Sequence, residues 1–335
     1  MVEMHPSPTQ KQIASKLGVS QTLVSRALSG RADKIGASTS TVEKIRRAAA
    51  EWNYQPSATA LALLGAPTRT FGVVVKNFND PYFGRLIGAL QTLARENSHS
   101  LLLTGSSMGD LSGLQKHRVD GVILVGSDFR PQGLRAFACE GMPIIQIGTG
   151  SPFPGDTQIH MDEAAGIGEL VTYLAGLGHR EIGFVAKDAG ANSRRGELLH
   201  RALQSHRLSV RTKFFLSFDG SDSEVAEYAV KTLRSFDRMP TALVAAEDSI
   251  ALALLRALHE AGFSVPQDLS VAGIDDIDAA AQSIPPLTTL RQPIPEMAAE
   301  AFRSLIALGT KRNLVTLPGK VIVRHSCASP SPQSK

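Results

Sequence analysis

Apolar positions follow two different rhythms along the 335 residues of the chain. In the first fifth they recur at helical spacing: Ile13, Ala14 and Leu17, then Val24, Ala27 and Leu28, then Val42, Ile45, Ala49 and Trp52. That spacing predicts three short helices. Thr9 with Gln12 forms a capping-box pair for the first, Gly18 breaks the pattern as a turn residue, Ser20 caps the second, which ends at Gly30, and Ser38 caps the third. From Phe71 onward, apolar runs alternate with amphipathic segments. The runs are FGVVVK (71–76), LLL (101–103), GVILV (121–125), PIIQI (143–147), EIGFVA (181–186), TALVAA (241–246) and LSVAGI (269–274), with a further strand QIHM before Asp162. Helices are expected near 82–97, 162–177, 194–207, 222–236, 247–261 and 295–308. Continuous apolar strands alternating with helices predict parallel sheets covered on both faces. The strands are too many for one small sheet, and 151–158 (SPFPGDTQ) reads as a crossing between halves, so the expectation is two doubly wound lobes. Between the two rhythms, Pro56 and Pro67 bracket a short segment that Gly65 stops.

Charge adds an asymmetry to this picture. Residues 1–65 carry Lys11, Lys16, Arg26, Arg31, Lys34, Lys44, Arg46 and Arg47 against Glu3, Asp33, Glu43 and Glu51, which accounts for the whole formal charge of +4. A polyanionic partner therefore suits that segment alone. Composition, with 43% hydrophobic and 20% charged residues, is that of a soluble protein with a sizeable core. The apolar runs are too short to span a bilayer, and the start MVEMHPSPTQ does not read as a secretory signal. Cys139 and Cys327, far apart and in apolar company, point to reduced thiols, and together these features make a cytoplasmic location the expectation. No cofactor is expected, and no metal, because no Cys/His cluster has ligand spacing.

The sharpest chemistry lies in GVSQTLVSRALSG (18–30). A helix, a glycine turn and a serine-led helix make up the helix-turn-helix, whose second helix lies in the major groove. Burying Val24 and Leu28 turns Gln21, Thr22, Ser25, Arg26 and Ser29 outward, where Arg26 suits a bidentate contact to guanine. Backbone amides near Ser20 and nearby lysines suit phosphates. Here the chain resembles the lactose-repressor (LacI) and GalR-type family of bacterial transcriptional regulators, whose second helix reads V-S-x-x-T-V-S-R-x-L-N-G. Leu23 and Ser29 depart from that pattern, and the loop Arg31 to Ala37 is longer than usual. The resemblance implies Gln21, Thr22 and Arg26 as base readers. It also implies a hinge helix after Tyr54–Gln55–Pro56, with Leu63 wedged into the minor groove beside its dimer mate; packing of the leucines 61, 63 and 64 at the dimer interface stays open as an alternative.

Beyond the head, NDPYF (79–83), LGHREIGFVA (177–186), PTALVAAEDSIALALLRAL (240–258), VPQDLSVAGIDD (265–276) and PPLTTLRQP (285–293) resemble the same family's periplasmic-binding-protein-like core. The resemblance implies an N-terminal all-α helix-turn-helix domain (1–55), a hinge helix and linker (56–69) and an α/β effector and dimerisation core (70–335). Lobe 1 would span about 70–158 and 289–318, and lobe 2 about 159–288 and 319–328. A cleft at the carboxyl ends of the strands would hold the effector. Its candidate residues are Tyr82 and Phe83 (or core residues of their helix), Arg195 (or its neighbour Arg194), Asp275 with Asp276 structural, Asp162 (or a helix cap), and Phe218 as an aromatic platform for a sugar. Glu247 stands where the family has asparagine. It suits either an amino-bearing effector or a helix-start acid favoured by the dipole.

The function expected is sequence-specific repression of transcription from double-stranded operator DNA, controlled by a sugar-like small molecule, in a homodimer without membrane contact. The tail ASPSPQSK lacks a leucine heptad, so no tetramer is expected. An enzyme or a periplasmic-type solute-binding protein using the same cleft is the alternative. No nucleophile elbow, phosphate loop or dinucleotide fingerprint supports the enzyme, so no catalytic residue is assigned.

Overall fold

The computed structural model describes residues 8–28, 37–54, 67–105, 114, 117–126, 142–149, 157–187, 191–307 and 313–331. The chain divides into two compact units, Met1–Arg69 and Thr70–Lys335. Ser29, Leu63 and Cys139 lie outside the described residues.

The first unit contains helices α1 (Gln10–Leu17), α2 (Gln21–Leu28) and α3 (Thr39–Glu51). Its core is Ile13, Ala14, Val24, Ala27, Ile45, Ala48 and Ala49, with Leu17, Leu23, Leu28, Val42 and Trp52 packed around it. Three helices this short are marginal alone, so this shared apolar face and their caps hold them.

The second unit begins with β1 (Thr70–Val75), α4 (Pro81–Glu96), β2 (Ser100–Gly105), β3 (Gly121–Val125), β4 (Ile144–Ile147) and β5 (Thr157–Met161). It continues with α5 (Glu163–Gly176), β6 (Ile182–Lys187), α6 (Ala191–Ser205), β7 (Phe215–Phe218), α7 (Asp222–Arg234), β8 (Ala242–Ala245) and α8 (Asp248–Glu260). The remainder is β9 (Ser270–Asp275), α9 (Asp278–Gln282), β10 (Thr288–Arg291), α10 (Ile294–Ile306), β11 (Asn313–Leu317) and β12 (Lys320–Ile322).

Among the described residues these strands form two six-stranded sheets, ordered β11-β5-β4-β3-β1-β2 and β12-β10-β9-β8-β6-β7. All neighbours run parallel except β10 and β12, which are antiparallel. The inner strands are apolar on both faces because helices cover both. Val73, Ile123, Ile145 and Phe302 belong to the first lobe's core, and Leu170, Val185, Val244 and Leu254 to the second's.

The crossings between lobes fall slightly later than the sequence suggested. Residues Thr157–Met161, expected partly as a linker, form a strand between β4 and β11 in the first lobe. Strand Thr288–Arg291, expected in the first lobe from residue 289 onward, pairs with β9 and β12 in the second. The chain changes lobe at Asp162, at Gln292 and between β11 and β12.

Candidate DNA-reading head and effector cleft

In the head, the local sequence builds the turn. The Thr9 hydroxyl accepts the Gln12 amide at 3.3 Å, and the Thr9 amide donates to Gln12 Oε1 at 2.7 Å. Gly18 caps α1 with φ 63°, a left-handed conformation that costs glycine nothing. The Ser20 hydroxyl then accepts the Leu23 amide at 3.2 Å and opens α2. With Val24 and Ala27 buried, Gln21, Thr22 and Arg26 are exposed and Ser25 is half-buried. Leu23, where the family pattern has a threonine, is half-buried and packs on the core. Its apolar side chain therefore serves packing. The lysines and arginines 11, 16, 44, 46 and 47 are exposed, with Lys16 Nζ 4.4 Å from the Trp52 ring centroid.

In the second unit a cavity of about 490 Å³ opens at the carboxyl ends of the strands of both sheets. Lobe 1 contributes the β1–α4 connection: Asp80 caps α4 by accepting the Tyr82 amide at 2.9 Å, which puts Tyr82 and Phe83 at the cavity wall. The two rings meet edge to face, 5.3 Å apart, and also pack against the cores. The alternatives of core residue and cleft residue thus describe the same side chains. Gly126 and Gly148, at φ 118° and 134°, end β3 and β4, and a Cβ on Gly148 would meet the Gly126 carbonyl at 2.7 Å. Glycine at 148 lets the two strand ends close the floor.

Lobe 2 contributes a buried charge cluster. Arg195 Nε donates to Glu163 Oε1 at 2.9 Å, Nη1 to the Ala246 carbonyl at 2.5 Å, and Nη2 to Asp275 Oδ1 at 3.4 Å. Gln292 Nε2 donates to the same Asp275 oxygen at 2.6 Å. Arg195 and Asp275 are 8% and 5% exposed, so their pairing is largely removed from water. Burial pushes the Asp275 carboxyl well above the usual carboxylate range, with Arg195 opposing that rise. Burial also disfavours the Arg195 cation, but Asp275 and Glu163 overcome this and hold it protonated. Arg194, the alternative, is exposed and lies 3.6 Å from Glu163.

Asp275 has φ 121°, a strained conformation for a side-chain-bearing residue. The turn behind it over-determines that backbone. Asp248 accepts the Ile277 amide at 2.9 Å and the Thr289 hydroxyl at 2.6 Å. Asp276 is paired with Arg291 at 2.5 Å and Arg324 at 2.6 Å. A Cβ on Gly273 would stand 2.1 Å from Asp248 Oδ1, so glycine is required there.

Of the residues predicted for the cleft, Tyr82, Phe83, Arg195, Glu247 and Asp275 line the cavity. Two do not. Asp162 caps α5, accepting the Ala165 amide at 3.0 Å, and its neighbour Glu163 is the carboxylate that faces inward. Phe218 lies on edge strand β7, exposed and stacked on Tyr228 with centroids 5.0 Å apart. Asp80, Glu163, Lys187, Asp222 and Gln292 also line the cavity and were not anticipated. Lys187 ends β6 and the other four follow a strand by one to five residues, and that position was the only signal available for them.

A family model of the periplasmic binding protein-like domain matches residues 171–327. The chain is 27% identical over 332 residues to the HTH-type transcriptional repressor PurR of Histophilus somni, covering 95% of this chain and 98% of that protein. It is 29% identical over 333 residues to the HTH-type transcriptional regulator DegA of Bacillus subtilis, covering 94% and 96%. Among solved structures, a LacI family regulator of Enterococcus faecium with bound ribose matches 78% of this chain and 99% of its own at 25% identity and TM-score 0.71. The lac repressor dimer bound to operator and an anti-inducer matches 96% and 100% at TM-score 0.80 and 23% identity, a likeness of fold. With its serine-led second helix and its two-lobed core with a charged cleft, the chain is similar along nearly its whole length to bacterial transcriptional regulators of the LacI/GalR type.

Proposed function

We propose that the protein is a transcriptional repressor that reads operator DNA with Gln21, Thr22, Ser25 and Arg26 and is controlled by a small hydroxylated metabolite held in the cleft by Arg195 and Asp275. The observation that carries the DNA-reading half is the exposed polar face of α2, presented over a packed apolar core. Support for the effector half comes from the enclosed Glu163–Arg195–Asp275 array, whose charge-assisted hydrogen bonds suit hydroxyl groups, and from the Enterococcus relative that binds ribose. Two copies pair so that their heads address half-sites of a near-palindrome, as two-fold symmetry requires. The effector shifts operator affinity by its difference in affinity for two forms of the core. The working compartment is the cytoplasm, where the DNA is.

The test is selection of bound duplexes from a random pool, repeated with Arg26→Ala. Wild-type protein should enrich one near-palindromic sequence, with affinity falling steeply as salt rises. Arg26→Ala should lose about 1–3 kcal/mol of discrimination at one base pair per half-site. Enrichment of nothing, or the same sequence at the same strength from the variant, would overturn the reading.

A further inference from the structure

The cleft holds more negative than positive charge. Asp80, Glu163, Asp222, Glu247 and Asp275 line it, against Lys76, Lys187 and Arg195. Arg195 is shared by Glu163 and Asp275, and Lys187 Nζ is spent on Asp222 at 2.6 Å. Glu247 stands at the start of α8 with an extended backbone, yet its side chain makes no capping hydrogen bond, and it enters none of the cleft's ion pairs among the described residues. The dipole account of a helix-start acid is therefore without the hydrogen bond that usually accompanies it. Asp80 faces the same space from the other lobe and accepts the Tyr82 amide. Beside it, the faces of Tyr82 and Phe83 offer the quadrupole that a cation prefers.

We infer that the effector carries an ammonium group, seated between Glu247 of lobe 2 and Asp80 of lobe 1, with its hydroxylated part toward Arg195 and Asp275. The inference rests on the effector reading above and narrows its chemical class. Burial pushes the carboxyls of Asp80 and Glu247 upward, opposed at Asp80 by the Tyr82 amide and at both by Lys187 and Arg195, so their surroundings disfavour the ionised forms and an added cation relieves that cost. Because the two carboxylates belong to different lobes, one cation between them links lobe 1 to lobe 2. Binding and lobe closure then become the same event. A neutral sugar of equal size fills the space and donates hydroxyl hydrogen bonds, but brings no positive charge to either carboxylate.

The experiment compares matched probes on the full chain by calorimetry and thermal shift: glucosamine, galactosamine and mannosamine, their N-acetyl forms, and the parent neutral sugars. At least one free amine should bind about ten-fold or more tightly than its N-acetyl and neutral counterparts. Glu247→Gln should reduce that preference to about three-fold or less. A second readout needs no ligand: Glu247→Gln should raise the melting temperature of the empty protein by about 3 °C, since it removes an unpaired carboxylate. Neutral members binding as well as the amines, no amine binding at all, or a lower melting temperature in Glu247→Gln would each overturn the inference. Operator selection measured on the same preparation keeps the two readings apart. Selection together with binding of neutral sugars alone removes only the ammonium, whereas failure of selection removes the repressor.

Discussion

Arg195 is a cation enclosed by two carboxylates and a backbone carbonyl, and its removal leaves Glu163 and Asp275 facing each other with little water. Arg195→Ala should cost about 3–5 kcal/mol of core stability, measured by urea unfolding. A cost below about 1 kcal/mol would mean that the carboxylates already share a proton or reach solvent. Asp248, fully buried, makes a second prediction. Burial pushes its carboxyl up to about 6, against 3.8 for the free side chain, while its bonds from Thr289 and Ile277 pull the other way. The folded state thus holds a proton that the unfolded chain has released. The stability linked to Asp248 is complete below about pH 4 and is lost as pH rises through about 6, a loss of about 3 kcal/mol. Asp248→Asn should remove that component, so that the difference in unfolding free energy between wild type and variant changes between about pH 4 and pH 6 and levels off above; a constant difference across that window would count against the buried proton. Both groups sit where the sequence offers no periodic signal. Arg195 was legible by resemblance; at Asp162 the helix-cap alternative is the one the structure shows, and its neighbour Glu163 is the carboxylate that faces the cleft. A one-residue shift at a helix start exchanges a cap for a cleft-facing side chain, and only the path of the backbone decides which is which.

At the scale of elements, capping and periodicity carried most of the prediction. Thr9, Gly18, Ser20 and Ser38 mark boundaries in the sequence and make the corresponding hydrogen bonds or turn conformation in the structure. Gly18→Ala should destabilise the head by about 1–2 kcal/mol, because alanine would have to hold φ 63° even though its Cβ meets no atom. Trp52 is the chain's single tryptophan and packs on this small core, so its fluorescence reports the head's melting alone. An unchanged transition would show that the turn relaxes without cost. Among the described residues, the six long helices of the core were legible from their apolar stripes, and most of the inner strands from apolar runs. By contrast β7, β10, β11, β12 and the five-residue α9 were not. β11 is largely exposed and β12 has three residues, so neither has the alternation or the apolar run that identifies a strand. Such strands exist because a neighbour offers unpaired backbone groups, a property of the neighbour.

At the scale of the whole core, individual side chains link the two lobes across the cleft. Arg85 of α4 donates to the Asp276 carbonyl and lies 3.6 Å from Asp278, joining lobe 1 to the turn that carries Asp275. The partners are partly exposed, so the link is weak. Arg85→Ala should raise the effector concentration needed for half-maximal release or capture of operator by about two- to five-fold. Operator binding titrated with effector checks this, and an unchanged midpoint would mean that lobe closure does not use the link. None of this was visible in the chain order, since Arg85 and Asp278 are separated by most of the core's length.

What the sequence by itself determined is everything encoded locally: the helix caps, the glycine turn, the polar face of α2, the alternation of strand and helix, and the confinement of net positive charge to the first fifth. These follow from residues within a turn or two of one another, where spacing is the geometry. Tertiary structure alone decided which side chains share the cleft. The chain crosses between the lobes three times, so strand ends distant in sequence converge, and the identity of each cavity residue depends on where a strand stops. Burial then gave the carboxylates their altered chemistry, because the desolvation of a group is set by all that surrounds it.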